Sequence, residues 1–370
     1  MSLNPRGRLH WWLGAFASVS LLGACGAPEE RGGDSLEQAE PAVRDAVAGD
    51  VEVRLSLSKS ALAAREAVMV DVTLTNVSSR TVRLLKWHTP VDGVKEDLFV
   101  VTVDGAAAEY NGRHYKWATP EAHDYLTLAP GERVTHTVDL ASIYDLSRTG
   151  NYSIRYDSEA HHDASHEGIS QLRSDSVSVY VEGRTFVLPH AADEGTVTAQ
   201  ALSTANCSST RASTVSSAFS AAKTMANNSV SYLTNTTPGN TSRYKTWFGN
   251  YTSTGWSTAK SHFNAIKSAF DTKSVIVDCG CSDSAYAYVY KNSPYRIYVC
   301  NAFWNAPMTG TDSKGGTLVH EMSHFTVVAD TDDHAYGQSA CKNLAISSPT
   351  RALDNADSHE YFAENTPSLP

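Results

Sequence analysis

Two histidines four residues apart stand in the pentapeptide His320-Glu321-Met322-Ser323-His324. On a helix that spacing sets both imidazoles on one face, where they can grip a single Zn²⁺. Glu321 then faces the open side of the metal, where it can take a proton from an attacking water and pass it to a leaving amine. This is the chemistry of metal-assisted peptide hydrolysis. By composition such a match arises by accident in roughly one chain in a hundred of this length, so its neighbours must carry the rest. The alternative is a surface helix with two solvated histidines. Gly315-Gly316 and the apolar Thr317-Leu318-Val319 before the motif, with Phe325, Val327 and Val328 after it, predict instead a helix buried on its other side.

A catalytic zinc takes three protein ligands and one water, so a third ligand is required. Position 327 is Val and position 330 is Asp, which excludes an HExxHxxGxxH continuation. The chain continues instead with the polar stretch Ala329-Asp330-Thr331-Asp332-Asp333-His334-Ala335-Tyr336-Gly337. With HExxH it resembles the signature of the deuterolysin and peptidyl-Lys metalloendopeptidase family, the aspzincins, in which HExxH is followed by GTxDxxYG. The match runs through Thr331, Asp333, Tyr336 and Gly337, with Asp330 in place of the first Gly. The resemblance implies that Asp333 is the third zinc ligand and that Tyr336 stabilises the oxyanion of the tetrahedral intermediate.

The segment from Asn355 to Asn365 resembles the part of Lys-specific members that lines the pocket for the residue after the scissile bond. Asp357 and Glu360 share a face if that segment is helical, and two carboxylates so close need a cation between them. Carried over, they imply a preference for Lys at P1′. Read from the residues alone, a solvated acidic face or a helix first turn remains open. Glu360 also competes with Asp333 as a thermolysin-type glutamate ligand.

The six cysteines are Cys25, Cys207, Cys279, Cys281, Cys300 and Cys341. Cys279-Gly280-Cys281 does not pair with itself, and disulfides are favoured over a zinc knuckle because no second cysteine pair at finger spacing accompanies it. The resemblance implies Cys207 with Cys279 and Cys281 with Cys300, leaving Cys341 odd. Arg6 and Arg8 precede an apolar stretch, Trp11 to Leu22, too short to span a bilayer and shaped as a signal-peptide core. It ends Leu22-Gly23-Ala24-Cys25, which resembles a bacterial lipoprotein box with Cys25 lipidated; an ordinary cut near Ala24 or Ala27 is the alternative. Either way residues 1–25 export the chain, to the medium or the cell envelope of a bacterium, with a possible membrane tether through Cys25.

Residues 26–50 lack periodicity and read as a flexible spacer. Alternating runs come next at Val51 to Leu57, Val68 to Leu74, Thr81 to Trp87, Leu98 to Val103, Arg133 to Leu140, Tyr152 to Tyr156, Ser176 to Val181 and Thr185 to Leu188. They predict an all-β, immunoglobulin-like sandwich over 51–188, with 189–202 as a linker. Residues 1–202 carry 18 Lys+Arg against 28 Asp+Glu, whereas 203–370 carry 12 of each, so nucleic acid is excluded as a partner. The acidic front part reads as a propeptide or accessory module. Its His161-His162 with His166 reads as a solvated turn rather than a metal site.

Residues 203–370 predict an α+β zincin-like metalloprotease domain, large enough for its own core. Helical periodicity marks Val215 to Leu233, Ala259 to Phe270, the motif helix, Gln338 to Ala345 and Asp354 to Asn365; strands are expected at Ser274 to Cys279, Ala285 to Tyr290 and Arg296 to Asn301. Trp247, Trp256 and Trp304 are expected in the core. The expectation is a secreted endopeptidase with one Zn²⁺ per chain, acting on proteins or peptides before lysine. The rivals are a broader deuterolysin-like protease and an anchored binding module with a closed, structural zinc.

Overall fold

The computed structural model describes residues 43–158, 172–185 and 202–370, all within one compact unit, Pro41–Pro370. The signal segment, Cys25, the histidines 161, 162 and 166, and the linker to residue 201 lie outside the described residues. Among the described residues no helix is long and apolar enough to cross a membrane.

The first half is strand-rich because its side chains alternate. In Met69–Asn76, Val70, Val72 and Leu74 are fully buried while the residues between them are exposed or half-buried, as a strand with one face on a core requires. It is the centre of an antiparallel sheet between Val51–Leu57 and Arg133–Asp139. A five-stranded sheet has the order Ala61–Leu62, Val177–Val181, Gly150–Tyr156, Phe99–Val103, Ala106–Ala107. Inward residues of both sheets form one core. A third sheet pairs Arg44–Asp45 with Val82–Leu85 and Tyr125–Leu128. The spacer expected over 26–50 is thus structured at its end, where the Arg44 guanidinium also donates to Asp50 at 2.9 Å. Of the run expected at Thr185 to Leu188, Thr185 is outside any strand and the rest lies outside the described residues.

The second half is α+β with its own core, whose members run from Leu202 to Ala363. Two disulfides lie within it, Cys207–Cys279 and Cys281–Cys300, and Cys341 is a buried thiol. Its helices Ser209–Asn235, Ser253–Thr272, Lys314–His324, Gly337–Ser347 and Ala356–Glu364 follow the expected apolar spacing. Ser242–Phe248, capped by the Thr241 hydroxyl, is an additional short helix that periodicity alone does not reveal. Trp247 and Trp256 are core residues, and Trp304 packs partly buried against that core.

Its sheet has the order Leu202–Ala205, Val275–Asp278, Arg296–Val299, Ala287–Val289, with the first three parallel and the fourth antiparallel. The fifth strand, His114–Lys116, comes from the first half of the chain and pairs antiparallel with Ala287–Val289. The two halves are therefore not independent modules, as the sequence suggests, but share a sheet. Around this junction Trp87, Tyr115 and Trp117 pack with Tyr288, Tyr290 and Tyr298.

Candidate active site

The motif helix Lys314–His324 is buried along its whole length, which excludes the solvated-histidine reading. It begins at Ser313, whose hydroxyl accepts from the Gly316 N–H at 2.9 Å and donates to Glu364 at 2.7 Å. Glycine gives room here: a Cβ on Gly316 would lie 2.2 Å from a Glu364 oxygen, so the Glu364 side chain would have to shift. The Gly315-Gly316 pair thus lets the helix seat against its neighbours.

One turn apart, His320 Nε2 and His324 Nε2 lie 3.1 Å from each other. Asp333 completes the triangle, with Oδ1 3.3 Å from His320 Nε2 and Oδ2 3.2 Å from His324 Nε2. Tetrahedral zinc with ordinary bond lengths separates its ligands by about 3.4 Å, so the three donors fit one ion. Each histidine is turned by its other nitrogen: His324 Nδ1 lies 2.7 Å from the Thr331 carbonyl and His320 Nδ1 lies 2.8 Å from Asp357 Oδ1. Such outer contacts fix the tautomer that aims Nε2 at a metal. Both Glu321 oxygens are buried without a hydrogen-bond partner, and the Asp333 oxygens face the two imidazole nitrogens, an arrangement that fits a cation held among them. Burial pushes the Glu321 carboxyl up to about 7 against the opposing pull of His320 and His324.

The loop carrying Asp333 is pinned from below. Asn355 Oδ1 accepts the N–H groups of His334 and Ala335 at 2.9 Å each, and Thr331 Oγ1 lies 2.7 Å from the Ser323 hydroxyl. Asp330, which replaces the glycine of the family signature, has φ 54°, a left-handed conformation that Asp tolerates better than most residues.

Asp357 and Glu360 converge, together with Asp312, on one ammonium group. It belongs to the chain itself: Lys116 Nζ lies 2.9 Å from Glu360, 3.1 Å from Asp357 and 3.2 Å from Asp312. Lys116 is 1% exposed. Burial opposes the charge, but the three carboxylates hold the ammonium pKa well above its ordinary value. Asp357, also buried, is kept below the usual carboxylate range by Lys116 and His320, and its second oxygen accepts from Gly337 N–H at 2.7 Å. Glu360 sits on the Nδ1 side of His320, 3.6 Å away, and so faces the pocket rather than the side where Asp333 lies.

The residue before that lysine completes the arrangement. Tyr336 donates its hydroxyl proton to the Tyr115 carbonyl at 2.9 Å, and the Lys116 carbonyl accepts from Tyr286 N–H at 2.8 Å. The Tyr115–Lys116 peptide bond therefore lies across the site, carbonyl to Tyr336 and side chain in the acidic pocket. His114 Nε2 is buried without a hydrogen-bond partner, and a donor atom of its ring lies within 4.8 Å of donor atoms of both His324 and Asp333. Among the described residues two further groups could hold a cation, His320 with Asp357 and Glu360, and Asp332 with His334 and Asp354; Lys116 fills the first, and Lys291 and Arg351 approach the second. Sequence reading missed Lys116, Tyr115, Asp312 and the anchoring by Asn355. The alternation His114-Tyr115-Lys116-Trp117 was the sole local signal for the docked strand.

The family described as lysine-specific metallo-endopeptidase matches residues 232–364. An extracellular protease of Aeromonas hydrophila is 42% identical over 329 residues, 87% of this chain and 94% of its own length. A peptidyl-Lys metalloendopeptidase of Armillaria mellea is 37% identical over 317 residues, 82% of this chain and 88% of its own. These matches extend into the strand-rich half, which the motifs alone did not suggest. A zinc peptidase of Grifola frondosa, known as a solved structure, is 48% identical and aligned over its whole length with 44% of this chain, at a TM-score of 0.43.

Proposed function

As this chain belongs to the lysine-specific metallo-endopeptidases, the aspzincins, we propose that it hydrolyses peptide bonds on the amino side of lysine with one zinc ion per chain. The observation that carries this reading is Lys116 seated among Asp357, Glu360 and Asp312 beside the His320, His324 and Asp333 triangle. Those three ligands would hold the ion, which supplies Lewis-acid polarisation of the carbonyl and lowers the pKa of water. Glu321, enclosed next to them, takes the proton of the attacking water and returns it to the departing amine. Tyr336 donates to the carbonyl oxygen as it becomes an oxyanion. The acidic pocket holds the substrate ammonium and so sets which bond crosses the site.

The strand-rich half, proposed as an immunoglobulin-like sandwich, acts in this reading as a propeptide. Its His114–Lys116 strand fills the cleft in the manner of a substrate, so activity requires its removal, with the cut expected near Ala199 to Ser203. Export by residues 1–25, with Cys25 as a transient lipid tether, belongs to the same reading. The test is turnover of a lysine-containing peptide by the chain freed of residues 1–201, with chelator and after zinc is restored. Activity lost to chelation and regained with zinc supports it; unchanged turnover in chelator overturns it.

A further inference from the structure

In an antiparallel pair neighbouring side chains alternate between faces, so the residue before the lysine points away from the acidic pocket. Tyr115 stands opposite Tyr288, which stands opposite Tyr298, so three tyrosines lie in register across three strands. The Tyr288 and Tyr298 rings stack with centroids 4.5 Å apart and planes at 5°. Tyr115 adds its ring 4.9 Å from Tyr288, and its hydroxyl donates to Asp283 Oδ2 at 2.7 Å. Tyr288, Tyr298 and Asp283 all belong to the protease half and stay when the first half leaves. The charge partners of Asp283, Lys95 at 2.9 Å and Arg113 at 3.9 Å, leave with it. What remains is an aromatic platform with a carboxylate at its far edge.

We propose that Tyr288 and Asp283 form the subsite for the residue immediately before the scissile bond, and that the enzyme selects a phenol there, cutting Tyr-Lys faster than other Xaa-Lys bonds. The inference rests on the reading that the docked strand lies as a substrate does. Any strand that pairs with Ala287–Val289 in this register sets its side chain before lysine directly across from Tyr288. An aromatic ring gains there the tilted ring-to-ring contact that Tyr115 makes with Tyr288, planes at 45°, worth about threefold to tenfold in rate over alanine. A phenol gains the bond to Asp283 as well, and a charged acceptor makes that bond stronger than a neutral one. Arg113, two residues before Tyr115, also touches the phenol at 2.8 Å and lies over the Tyr288 ring at 4.8 Å. A fair comparison therefore keeps glycine at that position.

The experiment uses the chain freed of residues 1–201, which keeps its own core and both disulfides. Peptides identical except for Tyr, Phe, Ala or Asp before a single lysine are compared by kcat/KM. The expected order is Tyr, then Phe, then Ala, with Asp slowest, and Tyr at least tenfold above Ala. Asp283→Asn should bring the Tyr-to-Phe ratio close to one, and Tyr288→Leu the Phe-to-Ala ratio. Should Tyr288→Leu fail to fold, Asp283→Asn still decides. Equal rates for all four peptides, with cleavage before lysine retained, overturn this subsite and leave the lysine pocket standing. Loss of the lysine requirement itself overturns the reading beneath both.

Discussion

Asp357 Oδ1 lies 2.8 Å from His320 Nδ1 and 3.1 Å from Lys116 Nζ, so one carboxylate serves both the metal-facing histidine and the lysine pocket. Asp357→Asn should accordingly weaken lysine selection and also lower metal affinity, by roughly tenfold to a hundredfold. Glu360→Gln should impair lysine selection with much smaller loss of metal. Titration of both variants with zinc separates the two roles, and equal metal affinities would refute the shared one.

Asp333 and Glu360 are alternative third ligands. Since Asp333 faces both Nε2 atoms and Glu360 faces Nδ1, Asp333→Ala should strip the metal and Glu360→Ala should not. Metal content per chain after dialysis decides; the reverse pattern would make the site thermolysin-like.

Glu321 ligates nothing in this account. Glu321→Gln should retain about one metal per chain and lose roughly a hundredfold to ten-thousandfold or more of its turnover, the usual share of a general base. Wild-type turnover in a metal-loaded Glu321→Gln enzyme would remove Glu321 from the mechanism.

In the intact chain Lys116→Ala removes the cation from a pocket of buried carboxylates, which commonly costs about 3–5 kcal/mol. The strand should then dock less firmly, and the intact variant should cleave a short lysine peptide at least tenfold faster than the intact parent. An intact parent as active as the freed protease half would contradict the propeptide reading.

His359, buried against His262 with their ring nitrogens 3.0 Å apart, is held at about 3 by burial and by His262. A histidine depressed below its unfolded value near 6.5 stays neutral in the fold while the unfolded chain takes up a proton. Its stabilising contribution is thus complete above pH 6.5 and is lost as pH falls toward 3, by up to about 1.4 kcal/mol per pH unit. Thermal melting across that window should show a shallower pH slope in His359→Phe than in the parent. Parallel slopes would mean that the pair does not govern acid stability.

The chemistry was legible where it is local. His320, Glu321 and His324 sit on one helix turn, and Asp333, Tyr336, Asp357 and Glu360 come within 40 residues of His320, so spacing and motif suffice to name them. Lys116 was not legible, because it reaches the pocket through a three-residue strand whose partner, Ala287–Val289, lies far along the chain. Three residues are too few for their alternation to be read as a strand. Asp312 was hidden for a similar reason: it enters the pocket from a turn with φ 50° rather than from a patterned element. Asn355 uses its side-chain amide to hold backbone groups of His334 and Ala335, and such backbone partners leave no trace in side-chain pattern. The strand-rich character of the first half was plain from alternation, but its junction with the protease sheet was not.

In the proposed mechanism the acidic pocket beside the metal triangle chooses lysine, and the chain's own Lys116 occupies it until the first half is removed. Mass spectrometry of the fragments that the freed protease half makes from an unfolded protein substrate tests this most directly, with the intact chain assayed alongside. Lysine is expected at nearly every new amino terminus, with almost no cleavage by the intact chain. New termini at Leu and Lys alike, or no change in pattern after Asp357→Asn with Glu360→Gln, would contradict it.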